Sequence, residues 1–260
     1  MTSFITRIGL VSSLALAACG HLDSEVVELD GREVEVVEAG AGGTTVVFEA
    51  GLGDDWKHWN RVASDISEET RIFAYSRPGY GDSEDTTAPR DPATIVEDLR
   101  ELLASRDVPP PYVLVGHSFG GTYMEEFARS YPEETAGLVL VDSRPADFLV
   151  NCESAGLDMC GIPADQVAKI GGVLAAEYDA FPEASGELAI AGAFGDYPVR
   201  VLTATRDPGA SDERIALWTS MHADLADEAA DGEQILIHGT HYLQVFHARE
   251  VADVIREVLP

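Results

Sequence analysis

The sequence predicts an α/β fold in which a mostly parallel sheet is flanked by helices. Short apolar runs alternate with segments of helical periodicity along most of the 260 residues. Neighbouring parallel strands need crossover segments of this length, which favours a parallel over an antiparallel sheet. One apolar run, residues 112–115, leads directly into a glycine-rich turn, where parallel α/β proteins commonly bind ligands. A chain with 45% hydrophobic residues can bury one large core of this kind.

The predicted elements follow in order along the chain. Two alternating runs form a hairpin about Asp30 and Gly31. Counting these two, eight strands are predicted, at residues 26–29, 33–38, 44–48, 71–76, 112–115, 138–141, 199–204 and 234–237. Helices are predicted at residues 56–66, 94–106, 122–131, 211–226 and 245–258, where apolar side chains recur at helical spacing.

Residues 143–197 interrupt this alternation between the sixth and seventh strands. The segment is too long for a simple loop and contains a predicted helix at residues 165–178. We expect it to form a cap over the ligand site, so that residues 19–142 and 198–260 form the core. The other interpretation is an elaborated crossover that lies away from the site.

The charge of the chain limits its partners. It has 46 acidic and 17 basic residues, a formal net charge of −29. Binding to nucleic acid is not expected, because phosphate contacts need lysine and arginine. The acidic, lysine-poor composition fits either a protein that works in high salt or an ordinary soluble surface, and the sequence does not separate the two.

The N-terminus has the pattern of an export signal. A short positive end precedes an apolar stretch that is too brief to span a bilayer, which predicts a secretory signal over residues 1–18. Leu16-Ala17-Ala18-Cys19 resembles the lipobox of bacterial lipoproteins. The resemblance implies cleavage before Cys19, lipidation of its thiol, and a protein anchored to the lipid bilayer of the bacterial cell envelope.

The other two cysteines fit the same location. Cys152 and Cys160 are expected to form a disulfide in an oxidising compartment. A metal site is poorly supported, because no nearby histidine or third cysteine completes a ligand set.

The glycine-rich turn is the strongest catalytic signal. It reads Gly116-His117-Ser118-Phe119-Gly120, a G-x-S-x-G between a predicted strand and a predicted helix. This arrangement holds a serine outward on a sharp turn, and the helix that follows favours negative charge nearby. Ser118 is therefore the expected nucleophile. His241 is the expected base, because it lies on a loop just after the last strand, at the same edge of the sheet.

Residues 25–260 resemble the serine-hydrolase branch of the α/β-hydrolase family. The resemblance is carried by ordered motifs after successive strands, at residues 51–53, 77–83, 116–120, 206–208 and 239–241. It implies an eight-stranded α/β-hydrolase sheet and a Ser-Asp-His order of catalytic residues. The carboxylate is expected to be Asp207, in the family's usual position. Asp142, after the preceding strand, remains the alternative.

The resemblance also implies an oxyanion hole made of backbone N–H groups. Phe119 follows the nucleophile and supplies one donor, and Leu52 is the expected second donor. The family's usual histidine before this loop is absent, since the chain reads Glu49-Ala50-Gly51. Trp56, His58 and Trp59 follow closely and are candidates for the pocket wall, although core packing is the stronger interpretation for Trp59. The Arg77 segment, residues 77–83, lacks a phosphate-binding pattern and is interpreted as a structural loop.

These residues predict a hydrolase of small acyl substrates that needs no cofactor. A carboxylic ester is the expected bond, through an acyl-enzyme on Ser118. The same groups serve lactone, amide, thioester, carbon–carbon bond or peracid chemistry in the family. The alternative outside the enzymes is a lipid-anchored binding protein that has this fold but does not catalyse a reaction.

Overall fold

The computed structural model describes residues 22–190 and 192–260, with residues 182–190 described by their backbone alone. The predicted signal and Cys19 lie outside the described residues. Within the described ranges, no helix is both long enough and apolar enough to cross a membrane.

The described chain forms one eight-stranded sheet. Its spatial order is β1-β2-β4-β3-β5-β6-β7-β8, with β1–β2 and β2–β4 antiparallel and the other pairs parallel. The predicted mostly parallel sheet is thereby confirmed. The strands are Glu25–Leu29 (β1), Arg32–Ala39 (β2), Thr45–Glu49 (β3), Arg71–Tyr75 (β4), Tyr112–His117 (β5), Thr135–Val141 (β6), Val199–Ala204 (β7) and Gly232–Ile237 (β8).

Helices flank the sheet, and three of the predicted helices are divided in the structure. The predicted helix at residues 56–66 becomes a 3₁₀ helix, Trp56–Trp59, followed by an α-helix, Asn60–Ile66. The predicted helix at residues 165–178 becomes α5 and α6, because Gly171 and Gly172 take positive φ values of 63° and 62° that a helix does not tolerate. The predicted C-terminal helix is divided at His247, whose φ is −126°. The helices are Asn60–Ile66 (α1), Pro92–Ser105 (α2), Phe119–Ser130 (α3), Phe148–Ser154 (α4), Ala164–Ile170 (α5), Gly172–Ile190 (α6), Asp212–Asp227 (α7), Leu243–Phe246 (α8) and Ala248–Val258 (α9).

The core lies on both faces of the central strands. Every residue of β3 and β5 is buried, as expected for parallel strands that are covered on both faces. One apolar cluster packs around Trp59 and Ile255, and another around Leu99 and Phe127. The carboxyl ends of β5, β6, β7 and β8 meet at one edge, so the loops that follow them converge there.

The inserted segment contributes α4, α5 and α6 between β6 and β7. The disulfide between Cys152 and Cys160, predicted from the sequence, is present, with Cα atoms 5.6 Å apart. Helix α6 lies against the loops after β3 and β4. A Cβ added to Gly53 would lie 2.9 Å from Cδ1 of Leu174, and one added to Gly79 would lie 2.5 Å from Cγ1 of Val173. The insertion therefore touches the loop that carries Leu52.

Candidate active site

Ser118 lies on a strained turn between β5 and α3. Its φ of 53° and ψ of −122° are unfavourable for a residue with a side chain, and such strain is typical of functional positions. The turn needs close backbone approaches. A Cβ on Gly116 would lie 2.4 Å from the carbonyl oxygen of Gly120, and a Cβ on Gly120 would lie 2.4 Å from that of Ala50. The geometry is that of a serine held outward between a strand and a helix.

Ser118 opens onto a cavity of about 210 Å³ at the carboxyl edge of the sheet. The cavity brings together Ser118, His241 and both candidate carboxylates, although they are far apart in the sequence. Its lining consists of Ser118, Asp142, Arg144, Ala204, Arg206, Asp207, Arg214, Ile215, Trp218 and His241.

His241 is hydrogen-bonded to Asp142. The Nδ1 atom of His241 lies 2.7 Å from Oδ2 of Asp142, so Nδ1 donates and Nε2 is left to accept a proton. The other carboxylate oxygen, Oδ1, accepts the Ala204 N–H and the Trp218 Nε1–H, both at 2.9 Å. Burial acts to raise the pKa of Asp142, but the hydrogen bond and charge of His241 lower it below its usual value. Asp142 is therefore a buried carboxylate with its orientation fixed on both sides.

The structure places Asp142 against His241, and not Asp207, the carboxylate expected there from the sequence. Asp207 lies at the cavity, but it pairs with Arg214 of α7 and not with His241. Its side chain is 40% exposed, whereas that of Asp142 is 5% exposed. The sequence does not separate the two carboxylates, because both follow strands that end at this edge. Two side chains of α7 determine which carboxylate faces His241. Arg214 forms an ion pair with Asp207, while Trp218 donates a hydrogen bond to Asp142.

The other histidines near the cavity are held in structural contacts. His222 is buried between the Thr203 hydroxyl, 2.8 Å from Nδ1, and the Ser143 carbonyl, 2.7 Å from Nε2, and burial lowers its pKa. Nε2 of His117 lies 3.0 Å from the His241 carbonyl oxygen, and the two rings are 4.5 Å apart. His117 thus supports the loop that carries His241, a role that sequence reasoning missed.

The two expected oxyanion donors belong to segments that pack together. The side chains of Phe119 and Leu52 join one apolar cluster with Phe181 of α6. A Cβ on Gly51 would lie 3.4 Å from Cβ of Ser118, so the loop after β3 runs alongside the serine. In contrast, Trp56 and Trp59 are buried in the core, away from the cavity. His58 lies beside two carboxylates, 3.4 Å from Asp54 and 3.5 Å from Asp55.

A buried ion network holds the loop after β3. The Arg77 guanidinium donates to the carbonyl oxygens of Ala50 and Gly51, at 2.6 and 2.8 Å. It also pairs with Glu49 at 2.5 Å, at the end of β3, and with Glu177 of α6 at 2.6 Å. The segment at residues 77–83 is thus structural, as interpreted from the sequence. Its arginine, however, acts directly on the loop beside Ser118.

Glu177 connects this network to the insertion. Its second oxygen accepts from Arg90 at 2.5 Å, so two arginines share one carboxylate that is fully buried. Burial acts to raise the pKa of Glu177, but Arg77 and Arg90 lower it below its usual value. Breaking such a pair leaves an uncompensated buried charge, which is strongly destabilising. Helix α6 is thereby fixed to the loop after β3.

Within the described ranges, no group of three histidine, cysteine or acidic side chains is placed to hold a metal ion.

Comparison with known proteins identifies one relative by sequence and two solved structures with a similar fold. The chain is 38% identical to the uncharacterized protein YqjL of Bacillus subtilis over 108 residues, which are 42% of this chain and 43% of that protein. The matched segment thus covers less than half the length of that relative. Among solved structures, the fold is similar to that of the epoxide hydrolase VrEH1 from Vigna radiata (TM-score 0.69, 16% identity, covering 93% and 98% of the two chains). It is also similar to E-2-(acetamidomethylene)succinate hydrolase (TM-score 0.65, 19% identity, 92% and 99%).

The family assignment rests on a match across most of the core. The model of the alpha/beta hydrolase family matches residues 46–254, which span β3 to α9. That range includes Ser118, Asp142 and His241, which follow β5, β6 and β8 in chain order and lie at one edge of the sheet. The chain belongs to the alpha/beta hydrolase family.

Proposed function

We propose that the protein hydrolyses carboxylic esters through Ser118, His241 and Asp142. The observation that carries the proposal is the 2.7 Å hydrogen bond from His241 to buried Asp142, in the cavity onto which the strained Ser118 turn opens. A free serine hydroxyl is a weak nucleophile, and an oriented histidine is the usual means of activating it. The arrangement supports nucleophilic catalysis better than simple binding, which would not need a base beside the serine.

In the proposed acylation, the Ser118 oxygen attacks the ester carbonyl carbon while Nε2 of His241 removes the hydroxyl proton. The carbonyl oxygen becomes negatively charged, and the backbone N–H groups of Phe119 and Leu52 stabilise it. When the intermediate collapses, the carbon–oxygen bond to the alcohol breaks and His241 gives its proton to the leaving alkoxide. Asp142 keeps Nδ1 protonated and stabilises the imidazolium that forms between these two transfers.

Deacylation reverses the roles with water in place of the alcohol. His241 takes a proton from a water molecule, which attacks the acyl-enzyme carbonyl. The Ser118 oxygen then leaves with the proton held by His241, and the carboxylic acid is released. The contacts of α6 with the loop after β3 support a cap that shields these steps from bulk water. An ester is the proposed bond because an alkoxide leaves more readily than an amide nitrogen.

Ester hydrolysis is tested directly with the mature chain and a panel of acyl esters. We expect the wild type to release acid from short-chain esters, and Ser118→Ala to lose essentially all of this activity. The variant removes a single side-chain oxygen atom from a half-buried residue and is expected to fold normally, which circular dichroism verifies. A folded wild type that hydrolyses no ester in the panel, or a Ser118→Ala variant as active as the wild type, would contradict the proposal.

We further propose that the protein is exported and anchored to the bacterial envelope through lipidated Cys19. The lipobox-like sequence and the Cys152–Cys160 disulfide support this location, since disulfides persist in oxidising compartments. In a bacterial host, the wild type is expected in the membrane fraction, and Cys19→Ser is expected to leave it. Equal membrane retention of the two proteins would argue against lipidation.

A further inference from the structure

Three arginines line the cavity onto which Ser118 opens: Arg144, Arg206 and Arg214. This concentration is unexpected in a chain with only 17 basic residues and a net charge of −29. Most of the protein surface therefore repels anions, whereas the walls of this cavity attract them. The question is whether these three charges are already neutralised by the protein.

One arginine is neutralised and two are not. Arg214 pairs with Asp207, and its Nε–H donates to the Met159 carbonyl oxygen at 2.9 Å. The other carboxylate of the cavity, Asp142, is held by His241. Among the residues that the structure describes, no carboxylate forms an ion pair with Arg144 or Arg206.

Arg144 is fixed next to the nucleophile. Its backbone N–H donates to the Ser118 carbonyl oxygen at 2.9 Å, and its own carbonyl oxygen accepts from the Thr122 hydroxyl at 2.6 Å. The guanidinium carbon lies 5.5 Å from the ring centres of both Phe119 and Phe181. Its position beside the catalytic turn is therefore defined by main-chain contacts, and its side chain is held between aromatic rings.

The Arg144 charge lacks a counter-ion. One nitrogen of the guanidinium donates to the Cys160 carbonyl oxygen at 3.3 Å, and the buried Nε has no partner within the described part of the chain. Burial lowers the pKa of Arg144 to about 10. A partly buried cation without an opposite charge is unfavourable, and a bound anion would relieve this.

Arg206 lines the same cavity, on the loop after β7. Its backbone N–H donates to the Gly239 carbonyl oxygen at 3.0 Å, which connects it to the loop that carries His241. Its side chain is exposed and free to turn toward a ligand. A small apolar pocket of about 90 Å³, which includes Phe119, Leu149 and Phe181, adjoins Arg144. Arg144 lines both this pocket and the Ser118 cavity, so a short apolar group can pack beside the guanidinium.

We propose that the substrate is a short ester that carries a negatively charged group, such as a carboxylate, bound by Arg144 and Arg206. This inference rests on the ester hydrolysis proposed above. A guanidinium binds a carboxylate through paired N–H donors, which gives orientation as well as attraction. Holding the far end of the substrate in this way places the ester carbonyl against Ser118.

The test compares esters that differ only in charge. In the first pair, monomethyl glutarate carries a carboxylate on the acyl side of the ester, and dimethyl glutarate is its neutral counterpart. In the second pair, 4-acetoxybenzoate carries the carboxylate on the alcohol side, and its methyl ester is the neutral counterpart. We expect the wild type to have a kcat/KM about tenfold or more higher for the charged member of at least one pair, mainly through a lower KM, since one good ionic contact gives a factor of this size. Arg144→Met and Arg206→Gln are each expected to remove most of this preference, measured as the ratio of kcat/KM for the charged ester to kcat/KM for its neutral partner in the same variant.

Two further variants control for charge and for structure. Arg144→Lys keeps a cation and is expected to retain part of the preference. Arg249→Gln, on the exposed face of α9, is expected to leave it unchanged. If Arg144→Met does not fold, the exposed Arg206→Gln still tests the site.

The outcomes separate this inference from the proposed function. Hydrolysis of the neutral esters as fast as or faster than the charged ones overturns the anion site and leaves ester hydrolysis intact. A preference for charged esters that survives in both arginine variants likewise overturns it. No hydrolysis of any of the four esters by folded wild type overturns both.

Discussion

Replacing Asp142 by asparagine is expected to lower kcat by about 10³- to 10⁴-fold. The reason lies in the hydrogen bonds around the carboxylate. Oδ1 accepts two N–H groups, from Ala204 and Trp218, so the oxygen of the asparagine amide will occupy that position. Its NH₂ group then faces Nδ1 of His241, which must accept instead of donate. Nε2 consequently carries the proton and cannot remove the one on Ser118.

Asp207→Asn is the matched control for this prediction. It makes the same chemical change at the other carboxylate of the cavity but leaves the His241–Asp142 bond intact. We expect kcat for a neutral ester to fall by less than about tenfold, since the interaction lost is with Arg214 and not with the base. A large loss in Asp207→Asn together with a small one in Asp142→Asn would return the catalytic role to Asp207.

Arg77→Met is expected to lower kcat by about 10²-fold, the size of effect seen when one oxyanion donor is lost. Arg77 holds the carbonyl oxygens of Ala50 and Gly51, so its loss allows the Leu52 N–H to move from its position beside Ser118. The variant also leaves Glu49 without its arginine partner in a buried position, and a loss of about 3–5 kcal/mol in the free energy of unfolding follows. Urea denaturation measures the stability, and kcat is then expressed per folded molecule.

Arg90→Met separates the catalytic effect from the loss of stability. Like Arg77, Arg90 pairs with Glu177, but within the described residues it forms no hydrogen bond or ion pair with the loop that carries Leu52. Both variants should therefore be less stable, while only Arg77→Met should lose kcat. Equal losses of kcat in the two variants would mean that the network acts through general stability. An unchanged kcat in folded Arg77→Met would remove Arg77 from any positioning role.

Much of this architecture could be predicted because it depends on local patterns. The hairpin about Asp30 and Gly31 has the positive φ values of 49° and 80° that such a turn requires. The eight strands were found from apolar runs, and the G-x-S-x-G placed Ser118 between β5 and α3. These features depend on neighbouring residues only, which a single sequence displays.

The carboxylate and the arginine network could not be predicted in the same way. Asp142 and Asp207 follow adjacent strands, and the choice between them depends on side chains of α7 that are distant in sequence. Arg77 was interpreted as part of a structural loop because its partners, Glu49 and Glu177, lie 28 and 100 residues away. A usable signal existed, since Glu49 directly follows three apolar residues in a strand that is expected to be buried, and a buried carboxylate needs a cation.

Labelling with a fluorophosphonate tests the central claim most directly, because this probe forms a covalent bond only with an activated serine. The mature chain is treated with the probe, digested and examined by mass spectrometry, with Ser118→Ala and Asp142→Asn treated in parallel. The account predicts rapid labelling of the wild type at Ser118 alone, slow labelling of Asp142→Asn, and none of Ser118→Ala. Folded wild type that is not labelled at Ser118, or is labelled equally fast without Asp142, would contradict it.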